Sequence, residues 1–290
     1  MIFNHTEHFN EIYGFKKPID LEYFGVFINS IKCDEEKFLS AFSTYEPTKI
    51  DNNFYIFNQE FKIRISTHDL AINGGIYIQD YSSYLCAKAL NVSSSDIILD
   101  MCAAPGGKSI NLANFSDNCE NLSSNELNSK RFHKLKTILA NYGVKAKTYN
   151  HDGVLIGRKT PERFSKILLD APCSTFMHDF SITKSQKEIK QIATTQKKLL
   201  NSALTALQIG GELVYSTCTH NFYENEAVIY NALNSKFNIE LLEIDLPCEY
   251  LQGLSNYDEK YSDIRLAKTY RIKPTNTHSG FFIAKLRKLG

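Results

Sequence analysis

Two cysteines stand directly after apolar runs that are typical of buried strands. Cys173 ends the stretch ILLDAPC, and Cys218 ends the stretch LVYSTC. Because the carboxyl ends of neighbouring parallel strands meet at one edge of a sheet, we expect the two thiols to lie close together. A thiolate is a strong nucleophile, and a proton-transferring group beside it assists bond formation and release, so this pair predicts covalent catalysis. The other cysteines are interpreted as small apolar core residues: Cys33, Cys86, Cys102, Cys119 and Cys248.

A turn of small residues follows the apolar run at 97–99, within IILDMCAAPGGKS, and precedes a helical pattern. Two glycines alone equally suit an ordinary tight turn, but strand, glycine turn and helix together are typical of a nucleoside-binding α/β domain. The stretch lacks G-x-G-x-x-G, and Cys102 stands where a P-loop has its first glycine. It fits S-adenosylmethionine, which has no phosphate and an amino-acid end that backbone groups and a lysine can hold. The predicted cofactor-binding residues are Cys102, Ala103, Ala104, Pro105, Gly106, Gly107 and Lys108.

Four acidic residues stand at predicted strand ends: Asp100, Glu126, Asp152 and Asp170. Ligands bind at this edge of an open parallel sheet. A carboxylate at the second strand end can accept hydrogen bonds from both ribose hydroxyls, and one at the third can meet an adenine amino group. A single acid here would be interpreted as a turn or cap residue, whereas four in register favour a site. Arg131, one turn into the next helix, could pair with Glu126 or touch the ligand, although the pattern favours a solvated helix residue.

The remaining patterns predict two units. Residues 67–290 alternate strands and helices, which predicts an α/β, Rossmann-like sheet with helices on both faces and a terminal antiparallel pair. Its longest helix is expected over 186–207, ended by Gly210-Gly211, and residues 246–267 are expected to form a surface loop. Residues 1–66 are expected to form a small α+β module, with a strand at 24–28, a helix at 34–42 and a hairpin of 54–57 with 61–65.

Composition excludes several classes of protein. The 33 basic and 32 acidic residues leave a net charge of +1, so a nucleic-acid partner requires a local basic patch. Seven cysteines without a C-x-x-C pair argue against a zinc site or a disulfide framework, and no metal is expected. The first ten residues lack the pattern of a secretory signal, and no apolar run approaches ~20 residues. We therefore expect a cytoplasmic protein with no membrane contact.

The sequence contains three strings, DMCAAPGGKS, DAPCS and STC, in that order. In these strings and their order it resembles the Nol/Nop/Sun (NSUN, Fmu) family of RNA cytosine-5 methyltransferases. The resemblance extends from about residue 24 to the end of the chain. HSGFFIAKL resembles the last strand of that family. The resemblance implies S-adenosylmethionine as cofactor and structured RNA as substrate, with rRNA favoured and tRNA next. It also implies that Glu126 holds the ribose, that Asp152 lies beside the adenine, and that Lys108 lies near the methionine end.

The resemblance assigns a role to each thiol. Cys218 is the nucleophile that adds to carbon-6 of a flipped cytosine, which makes carbon-5 able to attack a methyl sulfonium. Cys173 assists release of the product, and Asp170 holds the ring near its N3 edge. DNA cytosine-5 enzymes use the cysteine of a Pro-Cys pair, normally followed by Gln, whereas here the pair is followed by Ser174.

Two other functions stay open at this stage, a DNA cytosine-5 methyltransferase and a non-catalytic RNA-binding ribosome assembly factor. Many bacterial members of the family carry an added RNA-binding domain, for which these 290 residues leave no room. Substrate choice is therefore expected to depend on basic residues and on the small module, for which a lid that covers the sheet is an equally weighted interpretation. A monomer is expected. The candidate basic residues are Lys130, Arg131, Lys134 and Lys136, with a weaker set at Arg265, Lys268 and Arg271.

Overall fold

The computed structural model of the protein describes residues 2–15, 17–257 and 259–290, which contain two sheets. The strands are β1 (Tyr23–Ile28), β2 (Thr48–Asp51), β3 (Phe54–Asn58), β4 (Ile76–Ile78), β5 (Ile98–Asp100), β6 (Leu122–Asn125), β7 (Lys147–Tyr149), β8 (Phe164–Asp170), β9 (Leu207–Thr217), β10 (Ile239–Leu242), β11 (Tyr250–Gln252), β12 (Tyr270–Ile272) and β13 (Phe281–Lys288). The α-helices are α1 (His5–Tyr13), α2 (Glu35–Phe42), α3 (Lys62–Ser66), α4 (Asp69–Ile72), α5 (Tyr81–Ala89), α6 (Gly107–Phe115), α7 (Ser129–Asn141), α8 (Ile156–Lys159), α9 (Gln186–Ala206) and α10 (Glu226–Leu233).

The large sheet has the order β11-β12-β13-β9-β8-β5-β6-β7, and β10 pairs with β13. Strands β7, β6, β5, β8 and β9 are parallel, whereas β13 runs antiparallel to β9. The chain passes from β5 to β6 on one side and returns to β8 on the other side of β5. The strand order therefore reverses at β5, and the crevice beyond β5 and β8 is the expected place for a ligand.

Successive residues of the central strands face opposite sides of the large sheet. In β5, Ile98 packs into a core with helices α5, α6 and α7, whereas Leu99 packs into a second core with α9 and α10. In β8, Leu168 packs into the first of these cores and Ile167 into the second. This alternation follows from the two-residue period of a strand, and it buries the parallel strands on both faces. The predicted Rossmann-like sheet with helices on both faces is confirmed.

The small sheet is antiparallel, in the order β2-β3-β1-β4, and α2 begins after Asp34, whose side chain accepts a hydrogen bond from the Lys37 N–H. The predicted strand at 61–65 is wrong. The Asn58 side chain accepts from the Glu60 N–H, so the chain turns into a 3₁₀ turn and then α3, and β2 becomes the hairpin partner of β3. Because β4 pairs with β1, this sheet extends past residue 66, and the division at 66/67 stays a prediction.

Two further expectations about the catalytic half are wrong. Helix α9 ends at Ala206, and Gly210-Gly211 lies inside β9, where Gly210 has φ +80°. The pairing of β9 with β8 shifts register around these glycines, whose freedom permits the bulge. The segment 246–267 is also more than a loop, because β11 within it pairs with β12 and adds an edge strand to the large sheet.

Helix α1 packs against the segments that follow the carboxyl ends of β8 and β9. The His5 ring stacks on Phe176 at 4.5 Å between ring centroids, and the His8 Nε2 accepts a hydrogen bond from the Phe222 N–H. Beside this cluster the fully buried Arg271 forms a two-pronged ion pair with the fully buried Glu226. Arg271, a candidate RNA contact by sequence, is thus an internal residue.

Within the described ranges no helix combines the length and apolar character needed to cross a membrane.

Candidate active site

A cleft of about 760 Å³ lies beyond the carboxyl ends of β5 and β8, where the strand order reverses. Sequence-predicted residues that line it are Cys102, Ala104, Glu126, Asp152, Asp170, Cys173 and Cys218. An adjoining cavity of about 220 Å³ shares three of these and adds Ala103, Pro105, Gly107 and Lys108. Gly106 lines neither space. An added Cβ there would lie 3.2 Å from Leu135, so this glycine permits α7 to approach the turn.

The glycine turn needs its small residues for two geometric reasons. Gly106 has φ +125° and precedes the first residue of α6, a conformation that favours glycine. A Cβ on Gly107 would lie 2.5 Å from the Tyr77 ring. The Ala103 N–H donates to the Asn125 carbonyl at 2.8 Å, which fixes the turn to the end of β6. Backbone atoms of the turn therefore form one wall of the cleft.

Glu126 and Asp152 occupy different environments in the cleft. Glu126 is buried, its Oε1 accepts from the Asn128 N–H at 2.8 Å, and its Oε2 lies 3.4 Å from Arg131 Nη1. Arg131 also donates to the Ala104 carbonyl at 2.5 Å. Its side chain is exposed, as a solvated helix residue would be, and it also makes the pairing with Glu126 that the sequence left open. Asp152 is exposed, and its Oδ1 accepts from the Val154 N–H at the start of a 3₁₀ turn. Both carboxylates line the cleft, where the Oε2 of Glu126 is shared with Arg131.

Asp100 is buried below the turn rather than in the large cleft. Its Oδ2 accepts from the Ser109 hydroxyl at 2.6 Å, whereas its buried Oδ1 has no hydrogen-bond partner among the described residues. Burial raises the pKa of Asp100 to about 7. The hydrogen bond from Ser109 opposes this rise, and the charge of Asp170 adds to it. This carboxyl borders the smaller cavity and can take part in a proton-linked contact there.

Lys108 and Asp170 form an ion pair between the two cavities. The Lys108 Nζ lies 2.8 Å from the Asp170 Oδ2 and donates to the Ser83 hydroxyl at 2.7 Å. The Ser216 hydroxyl donates to the Asp170 Oδ1 at 2.9 Å, so both carboxylate oxygens are engaged. Burial alone would lower the pKa of Lys108, but the Asp170 charge outweighs it and raises the pKa. The lysine therefore stays protonated at the wall of the site.

The two thiols meet, with 3.3 Å between the Cys173 and Cys218 sulfurs. Hydrogen-bond donation from Cys173 lowers the pKa of Cys218 to about 6; burial opposes this change and His178 assists it. The same contact, together with burial, raises the pKa of Cys173 well above its ordinary value. The two opposite shifts favour the thiolate on Cys218 and the proton on Cys173. A lowered pKa is what a nucleophilic cysteine requires.

His178 is a site residue that sequence reasoning missed. The Met177 N–H donates to the Cys218 carbonyl at 3.2 Å, which folds the segment after Cys173 over the second thiol. The exposed His178 side chain hydrogen-bonds to Cys218, which raises the pKa of the imidazole. It also borders the smaller cavity. A histidine five residues after a Pro-Cys pair is a usable sequence signal, because both lie in one strand-end segment.

In the described part of the chain no group of three or more His, Cys, Asp or Glu side chains is placed to hold a metal ion. The two thiols, the Lys108–Asp170 pair and the glycine turn instead form one continuous surface. Such a surface can hold an elongated organic cofactor along the turn and present it to a reactive thiolate.

Comparison with known proteins gives concordant matches. A family model described as "16S rRNA methyltransferase RsmB/F" matches residues 87–287. Two relatives named "Ribosomal RNA small subunit methyltransferase F" come from Vibrio cholerae serotype O1 and Vibrio parahaemolyticus. They are 33% identical over 277 residues and 34% over 275 residues. Each match covers 90% of this chain but only 57% and 56% of the relative, so the chain spans little more than half their length.

Two solved structures from Pyrococcus horikoshii share the fold. A methyltransferase homolog superposes with a TM-score of 0.81 at 30% identity, covering 93% of this chain and 88% of that one. NSun6, solved "with SFG", also gives a TM-score of 0.81, covers 99% of this chain and 98% of its own, and is 19% identical. The second likeness concerns the fold alone. Both superpositions extend over the small antiparallel sheet as well as the large sheet.

Proposed function

The chain belongs to the 16S rRNA methyltransferase RsmB/F family, and we propose that it methylates carbon-5 of a cytosine in small-subunit ribosomal RNA. The methyl donor in this proposal is S-adenosylmethionine, and the reaction takes place in the cytoplasm. Relatives that carry the rRNA methyltransferase name support the substrate class. The observation that carries the reaction type is the contact of two thiols in the cleft, one of them with a pKa lowered to about 6.

The residues along the glycine turn fit S-adenosylmethionine. The cleft gives a buried carboxylate, Glu126, to accept the ribose hydroxyls and an exposed one, Asp152, to meet the adenine amino group. The absent side chains of Gly106 and Gly107 permit the close packing around the turn. When bound, the cofactor supplies a methyl group on a sulfonium. The backbone of residues 102–107 would hold it, with Lys108 beside its methionine end.

Cys218 performs the covalent step. Its thiolate forms a bond to carbon-6 of the cytosine and moves the electron pair of the 5,6 double bond to carbon-5. Carbon-5 then takes the methyl group, while the electrons of the broken carbon–sulfur bond stay on the sulfur of the methyl donor. The ion-paired Asp170 borders the cleft and contacts the N3 edge of the ring, where it stabilises the protonated form. Once Cys218 is bound to carbon-6 its sulfur is no longer a thiolate, so Cys173 can lose its own proton to solvent and then accept the carbon-5 proton. The electrons of that C–H bond restore the double bond, and the Cys218 sulfur leaves carbon-6.

The experiment that tests this proposal uses Cys173→Ala with S-adenosylmethionine and a 16S rRNA transcript, followed by a denaturing gel. We expect a protein–RNA adduct that persists, because addition proceeds while release is blocked. Cys248→Ala is the matched control, since Cys248 is a half-buried cysteine that does not line the cleft, and it should release RNA as the wild type does. The attached RNA is sequenced to identify the cytosine.

Two outcomes would contradict the assignment. An adduct that survives in the double variant Cys173→Ala/Cys218→Ala would show that Cys218 is not the attacking residue. Absence of an adduct in Cys173→Ala, while the wild type methylates the same transcript, would show that Cys173 is not needed for release. Methylation of deoxycytidine oligomers as rapidly as RNA would instead support the DNA enzyme, and unaltered RNA binding without any methylation would support the assembly factor.

A further inference from the structure

Basic side chains line two grooves beside the cleft. A groove of about 730 Å³ runs along α9 and is lined by Lys187, Lys190 and Lys198, which recur at helical spacing on one face. A second groove of about 370 Å³ shares Lys198 and adds Arg158 and Lys236. The shared lysine joins the two grooves into one surface. We call Lys187, Lys190, Lys198, Arg158 and Lys236 the basic track.

The five charges of the basic track lack internal compensation. All five side chains are exposed, and within the described ranges none of them forms an ion pair with an acidic residue. The acid nearest to them along α9, Glu188, is engaged by the Ser185 N–H and hydroxyl in a capping box. Because the whole chain has a net charge of only +1, this concentration of unpaired charge is a local feature. It favours a polyanionic partner.

The basic track adjoins the cleft that holds the thiols. Thr195 lines both the α9 groove and the cleft, and Val154 lines both the second groove and the cleft. Lys187 and Lys198 are eleven residues apart on one helix, so the α9 section alone spans roughly 16 Å. A strand whose base enters the cleft therefore has cationic side chains available along its neighbouring nucleotides.

We propose that the basic track binds the sugar–phosphate backbone of the RNA strand that flanks the target base. Lysine and arginine contacts to phosphates add affinity without reading sequence, whereas the cleft selects the base. The identity of that base rests on the proposed function, but the backbone contact does not depend on methyl transfer. The candidate set on α7 is different, because Lys130, Lys134 and Lys136 are exposed but line neither groove nor the cleft.

The test measures binding of a fluorescent 20-nucleotide cytidine oligoribonucleotide by anisotropy between 50 and 500 mM KCl. The variant Lys187→Gln/Lys190→Gln/Lys198→Gln removes three charges from the track, and Lys130→Gln/Lys134→Gln/Lys136→Gln removes three from α7 as the matched control. Each phosphate contact on a single strand contributes ~0.7 to the salt slope, so the track variant should lose about 2 from that slope. Its Kd at 50 mM KCl should rise on the order of a hundredfold, and the control should stay within about twofold of the wild type.

Three results would overturn the proposal. One is an unchanged salt slope in the track variant when its thermal unfolding matches that of the wild type. Another is an equal loss in both triple variants, which would indicate a general charge effect. The third is track-dependent binding to vesicles with 30% phosphatidylserine without binding to the oligonucleotide. The adduct experiment is independent, since a trapped adduct with an unchanged salt slope would refute the basic track and leave the proposed chemistry intact.

Discussion

Replacing Cys173 with alanine removes the group that donates a hydrogen bond to Cys218, so we expect the pKa of Cys218 to rise. The two sulfurs lie 3.3 Å apart, and this donation is the largest cause that lowers the pKa of Cys218 to about 6. A hydrogen bond to a charged group contributes ~1.5–3 kcal/mol, and one pKa unit corresponds to ~1.4 kcal/mol. The expected rise is therefore about one to two units.

Alkylation by iodoacetamide measures this change because only the thiolate reacts rapidly. The rate at Cys218 is followed between pH 5 and pH 10 by mass spectrometry of the peptide that contains it. At pH 6.5 about three quarters of wild-type Cys218 is ionised, against roughly one quarter to one thirtieth in the variant. The variant should react about three- to twenty-five-fold more slowly at pH 6.5 and at the wild-type rate near pH 9.5, where both thiols are ionised.

Two controls separate the hydrogen bond from other effects. Cys248→Ala removes a cysteine that does not line the cleft and should leave the rate profile of Cys218 unchanged. His178→Gln removes the second, weaker cause of the lowered pKa and should give a smaller rise. A Cys173→Ala profile identical to the wild type would refute our account of the thiolate. A rate difference that persists at pH 9.5 would refute it as well, because it would reflect access rather than ionisation.

Two further predictions concern stability and cofactor affinity. Burial lowers the pKa of His8 to about 3 and of His220 to about 2. Below pH 6.5 the unfolded chain therefore binds more protons than the folded chain, and the free energy of unfolding should decrease as the pH is lowered. His220→Gln should reduce the pH dependence of the urea unfolding free energy by ~1.4 kcal/mol per pH unit between pH 6 and 4, and an unchanged dependence would contradict this. Glu126→Gln should weaken S-adenosylmethionine binding about ten- to a hundredfold by calorimetry, because it loses a charged acceptor, whereas the exposed Glu120→Gln should not. Equal affinity in both variants would remove Glu126 from the site.

Sequence by itself determined that the large sheet is of the α/β kind. It also determined the order in which the glycine turn and the acidic strand ends follow one another along the chain. Strand, glycine turn and helix are local patterns, so the run at 97–109 predicts the β5–α6 connection from adjacent residues alone. The positions of Glu126 and Asp170 at strand ends follow from the two-residue period of buried strands and from the chain order of α/β units. The resemblance to RNA methyltransferases of the Nol/Nop/Sun kind is confirmed at the level of the family.

Only the tertiary structure decided which distant residues share an environment. The apolar pattern of 61–65 suits a strand, but the Asn58 cap and the pairing of β2 with β3 turn it into a helix. Gly210-Gly211 interrupts a helical pattern in sequence, yet the pairing of Leu207 and Glu212 with β8 on either side places it inside a strand. In each case the local preference is small, and contacts between residues far apart in the chain outweigh it.

The same reason applies to the chemistry of the cleft. The resemblance assigns attack to Cys218, and the folded chain supplies a physical reason, because the Cys173 thiol and His178 approach Cys218 from another strand end and lower its pKa. Arg271, basic and near the tail in sequence, lies in the core because Glu226 compensates its charge there. The basic track likewise exists only after α9 brings Lys198 beside Arg158 and Lys236. Charge and pKa depend on the distance between side chains, and that distance is a property of the folded chain.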